Sequence, residues 1–233
     1  MIIAGIVAGG TGSRMGREDL PKQFFELAVK PVFIYTAEKF LKYADVVLIG
    51  MNPEWIDYAD ELLKKFFHDR EKIFLVRGGS DRNETVRNII SFAHDSLNCS
   101  DDDIILTHDA VRPFVSDEII YESISRIKEC DICTAAIPAT DTIVVSADGK
   151  TASSFPNRSE MFLVQTPQTF RIGDFERIYN SLSDDEKKIA TDVCRLFKSR
   201  GKKVLLIKGS PENIKLTYPY DYQTAKIIAE CMV

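Results

Sequence analysis

The chain is poor in the residues that most often carry metal or nucleophilic chemistry. It has three histidines, and none sits in a recognisable Ser-His-Asp or metal-histidine set. Its five cysteines, Cys99, Cys130, Cys133, Cys194 and Cys231, are odd in number and scattered. The single C-x-x-C, in "ECDICTA", has no second pair beside it, so the cysteines read as small buried hydrophobes rather than as zinc or redox ligands. Excess positive charge is missing too. The net charge of -5 argues against a generic nucleic-acid binder, which needs a basic surface. No apolar run approaches the roughly 20 residues of a membrane span. The first residues enter a strand-like run without the basic region and cleavage site of a signal peptide, and the expectation is a cytoplasmic protein with no membrane insertion. No internal repeat or low-complexity segment is visible.

What is present is an alternation. "IIAGIVA", "DVVLIGM", "KIFLV", "DIILTHD" and "ICTAAIP" are Val- and Ile-rich runs bounded by turn residues, as buried strands are. Amphipathic stretches at 31–43, 53–67, 83–97 and 116–129 separate them, the last with Ser116 as N-cap and two acids in its first turn. This predicts an α/β fold: a Rossmann-like, mostly parallel sheet with helices on both faces, in one domain over 1–233. The rhythm breaks between about 138 and 170, where polar and β-prone residues alternate around a "DGK" turn signal. That stretch reads as a protruding β-arm, at about 138–165, that serves dimerisation. Helices near 173–181 and 184–199, a strand at 203–207 and a helix from about 219 follow.

The polar clusters fall just after strands, where open α/β sheets bind ligands. "AGGTGSRMG", residues 8–16, is glycine-rich, but its third glycine comes one place too late for the dinucleotide fingerprint, and no Lys-Ser/Thr follows it as in a Walker loop. Small residues let backbone N–H groups approach an anion. Arg14 within the loop and Lys22 beyond it add preorganised cations of the kind that stabilise charge building on a reacting phosphorus. Taken alone, each cation is more often a solvated surface charge; together, in a glycine loop after the first strand, they point to function. "RGGSDRNETV", residues 77–86, can turn under a flat base or simply lead into a helix. In "THDAVRPF", residues 107–114, Asp109 is placed for a ribose or a magnesium ion, and Arg112 for a phosphate or as a brace of the loop. A paired, buried Asp–Arg is the plainer alternative. His108 reads as a support of this loop, and His68 and His94 as surface helix residues without a role.

Taken in order, "AGGTGSRMG…LPKQF", "GGSDRNET", "THDAVRP", "QTPQ" and "NIK" resemble the cytidylyltransferases that activate sugar-alcohol phosphates with CTP, across nearly the whole chain. Two sister groups share this plan, one acting on methylerythritol phosphate and one on ribitol 5-phosphate. The resemblance implies a Rossmann-like homodimer joined through the β-arm, with Mg²⁺ accompanying CTP. It implies that Ala8, Gly9, Gly10, Thr11, Gly12 and Ser13 wrap the triphosphate. Arg14, Lys22 and Lys215 would hold and polarise the α-phosphate. Gly78, Gly79, Asp81 and Thr85 would recognise cytosine, and Asp109 would face the ribose and the magnesium. Arg112, Thr142, Arg158, Thr191 and Asp192 would bind the acceptor, Thr142 and Arg158 from the arm across the dimer interface. "RMGREDLPKQF", "RNET", "THDAVRPF" and "PNRSEMFLVQTPQTF" lean towards the ribitol-phosphate group, so D-ribitol 5-phosphate, in teichoic acid or capsule synthesis, is the expected acceptor. 2-C-methyl-D-erythritol 4-phosphate, in isoprenoid synthesis, is the alternative. A nicotinamide-dependent reductase fits less well, because no acidic residue closes the second strand in "VVLIGMNP". A nucleotide-binding module without turnover stays open.

Overall fold

The computed structural model describes residues 1–10, 20–190 and 192–231. Strand β1 (Ile2–Ala8) is followed, after a short 3-10 turn at Lys22–Phe24, by a small antiparallel pair, β2 (Glu26–Leu27) and β3 (Lys30–Pro31). Then come α1 (Val32–Phe40), β4 (Val46–Met51), α2 (Ile56–Phe66), β5 (Ile73–Arg77), α3 (Arg82–Leu97), β6 (Ile104–Asp109), α4 (Asp117–Arg126) and β7 (Ile132–Pro138). The last third holds β8 (Phe162–Arg171), α5 (Ile172–Asn180), α6 (Asp184–Ile189), α7 (Val193–Ser199), β9 (Val204–Lys208) and α8 (Pro219–Glu230).

Seven strands form one sheet in the order β5-β4-β1-β6-β8-β7-β9. Six run parallel, and β8 is antiparallel to both of its neighbours. The expected α/β architecture is therefore present, with one departure. "QTPQTF", expected within the irregular stretch, is the buried half of β8 and lies inside the sheet. The cause is local: its even and odd residues are both buried, so the stretch lacks the one-sided alternation of an exposed hairpin. The segment from 139 to 161 outside the sheet carries an isolated bridge, Val145 to Ser154, and a 3-10 turn at Arg158–Glu160. The helix expected over 184–199 is two, α6 and α7, with Asp192 capping the second.

Period-two alternation sends the two sides of each strand to different cores. Ala4, Ile6, Val47, Ile49 and Leu106 pack against α1, α2 and α4 on one face, around Phe33, Phe40 and Leu63. Ile3, Leu48 and Ile105 pack on the other face against α3, α5 and α7, around Ile89, Phe175 and Phe197. At Gly50 a Cβ would come within 2.4 Å of the Thr85 methyl and 3.0 Å of Ile89, so a bare backbone there lets the start of α3 lie against β4.

Chain order reverses at β1: β4 and β5 lie to one side of it and β6 to the other. The carboxyl ends of β1 and β6 thus open a crevice, the position where such sheets take ligands. All five cysteines are free; Cys133 is buried, and burial pushes its thiol up to about 12, away from the thiolate a metal or redox site needs. His94 is better engaged than a surface residue. It is half-buried between the Cys99 carbonyl (3.0 Å) and Glu176 (3.1 Å), and with Asp101 these form the one three-residue group of potential metal-ligand atoms among the described residues. No helix among the described residues is long and apolar enough to cross a membrane.

Candidate active site

A cavity of about 340 Å³ lies at the switch point. Ala8, Gly9 and Gly10 wall it from the end of β1, Gly79 to Arg82 and Thr85 from the start of α3, and Asp109 to Val111 from the end of β6. Lys22, Gln23 and Lys215 complete it. Nine residues expected in the nucleotide-binding and catalytic sets are therefore brought together: Ala8, Gly9, Gly10, Lys22, Gly79, Asp81, Thr85, Asp109 and Lys215. Thr11, Gly12, Ser13, Arg14 and Thr191 lie outside the described residues.

The loop from β5 into α3 is held by its own polar groups. Gly78 donates its N–H to the Met51 carbonyl (2.7 Å), which docks the turn on β4. Asp81 caps α3 by accepting from the Glu84 N–H (2.9 Å). The Thr85 hydroxyl donates to the Asp81 carbonyl (2.8 Å) and accepts from the Gly79 N–H (3.0 Å), tying the turn to the first turn of the helix. Glu84 accepts from the N–H and hydroxyl of Ser80, both at 2.6 Å, and those bonds hold its carboxyl below the usual range. A Cβ at Gly79 would meet the Glu84 side chain at 2.4 Å, so this cap excludes a larger residue.

Opposite, Asp109 is the only acid with a buried side chain among the described residues. Burial is the strongest single influence on its carboxyl and opposes ionisation. Three cations together outweigh it and hold the group well below the usual carboxylate range. They are Arg82, at 3.5 Å from Oδ1, and Lys215 and Arg112, at 3.0 and 3.2 Å from Oδ2. Arg112 also donates to the Asn213 carbonyl (2.7 Å) and does not line the cavity, which makes it a brace in this state. The 213–217 segment is carried to the site by backbone pairing of Leu216 with the Val111 carbonyl (3.0 Å), and that pairing presents Lys215. Lys22, nearly buried, donates to the Leu216 carbonyl (2.7 Å).

His108 is fully buried behind Asp109 and stays neutral, because burial lowers it to about 4. A carbonyl only accepts, so Nε2 donates to the Arg112 carbonyl (3.1 Å). Nδ1 then accepts from the Thr166 hydroxyl (3.0 Å), whose oxygen receives the Asp109 N–H (3.2 Å). Both ring nitrogens are thereby spent on the loop, in keeping with a supporting residue and not a base.

Besides Arg112, three acceptor-side candidates stand apart from the cavity. Asp192 caps α7 through Oδ1 and accepts the Gln168 amide (2.6 Å) through Oδ2. Thr142 and Arg158 lie exposed on the 139–161 segment, where Arg158 donates to the Thr140 carbonyl (3.1 Å). Two wall residues were not anticipated from the sequence. Gln23 donates to the Ala8 (2.8 Å) and Gly10 (3.1 Å) carbonyls and so fixes the start of the glycine loop. Arg82 reaches both Asp109 and Gln168. Each sits inside a quoted motif, "LPKQF" and "GGSDRNET", beside the residues that drew attention.

The fold is shared with known proteins. A 4-diphosphocytidyl-2C-methyl-D-erythritol synthase of known crystal structure superposes with a TM-score of 0.80 at 26% identity, over 97% of each chain. The 2-C-methyl-D-erythritol 4-phosphate cytidylyltransferase of Francisella tularensis (TM-score 0.79, 24% identity, 97% of this chain and 98% of that one) shares the fold. So does the synthase of Anaerococcus prevotii (0.76, 24%, 98% of each). The profile of the IspD family, described as 2-C-methyl-D-erythritol 4-phosphate cytidylyltransferase, matches residues 2–230. Because that match takes in every strand of the sheet and every wall of the cavity, the chain belongs to the IspD family of cytidylyltransferases.

Proposed function

We propose that the chain transfers CMP from CTP to 2-C-methyl-D-erythritol 4-phosphate, releasing pyrophosphate, as a step of isoprenoid synthesis. The observation that carries this is the cavity itself: three cations, Lys22, Arg82 and Lys215, line it together with one buried carboxylate, Asp109, at the switch point of a chain of this family. The similar structures named for the methylerythritol product favour that acceptor over ribitol phosphate. Gly9 and Gly10 offer backbone N–H groups to the triphosphate, and Arg14 follows them four residues on in the sequence. One carboxylate facing a triphosphate is an oxygen-rich donor set that suits Mg²⁺, and Asp109 is the residue that would hold it. The metal would neutralise charge on the phosphate oxygens.

In the reaction, an oxygen of the acceptor's phosphate attacks the α-phosphorus in line, and the bond to the pyrophosphate oxygen breaks. A phosphate dianion needs no general base, which agrees with a site whose histidine is buried and fully engaged. Lys22 and Lys215 would offset the charge that builds at the α-phosphate. Thr142, Arg158, Thr191 and Asp192 are assigned to the acceptor, and Arg112 braces the loop after β6. Phe155, Phe162, Leu163 and Val164 lie exposed along or beside the 139–161 segment, and a second copy packing there would bring Thr142 and Arg158 to its partner's cavity.

Pyrophosphate release with CTP and Mg²⁺ in the presence of each acceptor tests the proposal. Turnover on methylerythritol phosphate at least tenfold faster than on ribitol 5-phosphate is expected. The reverse ranking supports the second reading, which rests on "RMGREDLPKQF" and "THDAVRPF". Release with neither acceptor refutes both.

A further inference from the structure

Arg82, the first residue of α3, stands between the two ends of the site. Its Nε faces Asp109 Oδ1 at 3.5 Å and its Nη1 faces Gln168 Oε1 at 3.3 Å. Gln168 passes the contact on, since its Nε2 donates to Asp192 Oδ2 at 2.6 Å. The amide can only be oriented this way round, because a guanidinium has no lone pair to offer and a carboxylate no proton. Asp192 in turn caps α7 through its other oxygen. Acid, guanidinium, amide and acid thus form one chain across β6, α3, β8 and α7.

Two features mark Arg82 as the adjustable link. Both of its contacts are long for charge-assisted hydrogen bonds, which settle near 2.7–2.9 Å. Its third nitrogen, Nη2, is buried with no hydrogen-bond partner among the described residues. A guanidinium with two stretched contacts and one unmet donor gains by closing on its neighbours. Lys215 and Arg112 face the other oxygen of the same carboxylate, so a ligand that draws Lys215 away leaves Oδ1 to Arg82.

We infer that Arg82 is a positioning residue that couples the two substrate sites: nucleotide bound at Asp109 and Lys215 tightens the Arg82–Gln168–Asp192 chain and raises affinity for the acceptor phosphate. This rests on the assignment of CTP to the Asp109 side and of the acceptor to the Asp192 side. The coupling is reciprocal, and CTP binds more tightly when the acceptor is present.

The test is calorimetry on the full chain with Mg²⁺, titrating whichever acceptor supports turnover, with and without the non-reacting α,β-methylene analogue of CTP. In the unaltered protein the analogue should tighten acceptor binding on the order of five- to tenfold. Arg82→Lys keeps the charge beside Asp109 but cannot span two partners, so it should bring that ratio below twofold, whatever it does to analogue affinity alone. Gln168→Leu, which leaves Arg82 in place, should abolish the coupling as well. A merely structural role would lower both affinities together and leave the ratio intact. An unaltered ratio in either folded variant, or a ratio of one in the unaltered protein, overturns the inference. Pyrophosphate release by the unaltered protein, measured first, tests the underlying assignment separately.

Discussion

The floor of the cavity and the 139–161 segment are built on opposite principles. Around Asp109 the described polar side chains are tied to one another: three cations share one carboxylate, a neutral histidine relays through Thr166, and the loop after β6 is clamped by Asn213 and Leu216. Along 139–161 the backbone has one isolated bridge, and apolar side chains face outward, with Val145 49% and Phe155 67% exposed. The difference assigns labour. The nucleotide end is preorganised within one chain, which is what transition-state stabilisation of a charged phosphorus demands. Thr142 and Arg158, proposed for the acceptor, lie on this segment and away from the cavity, so under that proposal a second surface would complete the site.

The largest expected effect breaks the first half of the comparison. Lys22→Ala removes a nearly buried cation from the cavity wall. A loss of about 10²–10³ in kcat, with CTP affinity changed less than tenfold, is expected from the loss of one preorganised charge. Equal losses in kcat and in CTP affinity would instead assign Lys22 to ground-state binding. Arg14→Ala should follow the same pattern.

A smaller effect separates the two regions. Leu163→Glu places a charge on the exposed apolar strip of β8 and should yield a monomer by sedimentation. Arg158→Ala should leave the proposed dimer intact. Both should raise the acceptor KM on the order of tenfold, because a charge-assisted bond contributes about 1.5–3 kcal/mol. CTP binding by either variant should stay within about twofold of the unaltered protein. A monomer that retains its acceptor KM would show the acceptor site to be complete in one chain.

The same contrast governs what could be read from the sequence. Strand and helix periodicity located nearly every element of the sheet, since β1, β4, β5, β6 and β7 are apolar runs with turn residues at both ends. The chemistry-bearing ends of β1, β5 and β6 followed from that placement. β8 was missed because "FLVQTPQTFR" contains a proline and several polar residues, and its burial comes from neighbours far along the chain. Gln23 and Arg82 were missed for a related reason. Their significance lies in partners 13 to 86 residues away, Gly10, Ala8, Asp109 and Gln168, which no local pattern encodes. Arg112 carried two readings from the start, and its observed bonds belong to the bracing one.

The smallest prediction probes how tightly the preorganised half is set. His108 is held neutral at about 4 by burial, against about 6.5 for an exposed imidazole. Between those values the unfolded chain binds a proton there that the folded chain does not. Folding stability therefore rises with pH through this window and is lost on acidification from 6.5 towards 4. The loss between pH 7 and 5.5 amounts to about 1 kcal/mol from this residue, a fall in Tm of roughly 2–4 °C for a chain of this size. Asp109 does not contribute there, since its carboxyl is ionised in both states until well below pH 5. His108→Gln keeps one donor for the Arg112 carbonyl and one acceptor for the Thr166 hydroxyl but does not titrate. Denaturant melts of the two proteins at pH 7 and 5.5 should show a smaller acid loss in the variant, whatever its stability at pH 7. An identical loss in both would mean that the imidazole takes up its proton in the folded state, which the bonds to Thr166 and Arg112 do not allow without breaking the relay to Asp109.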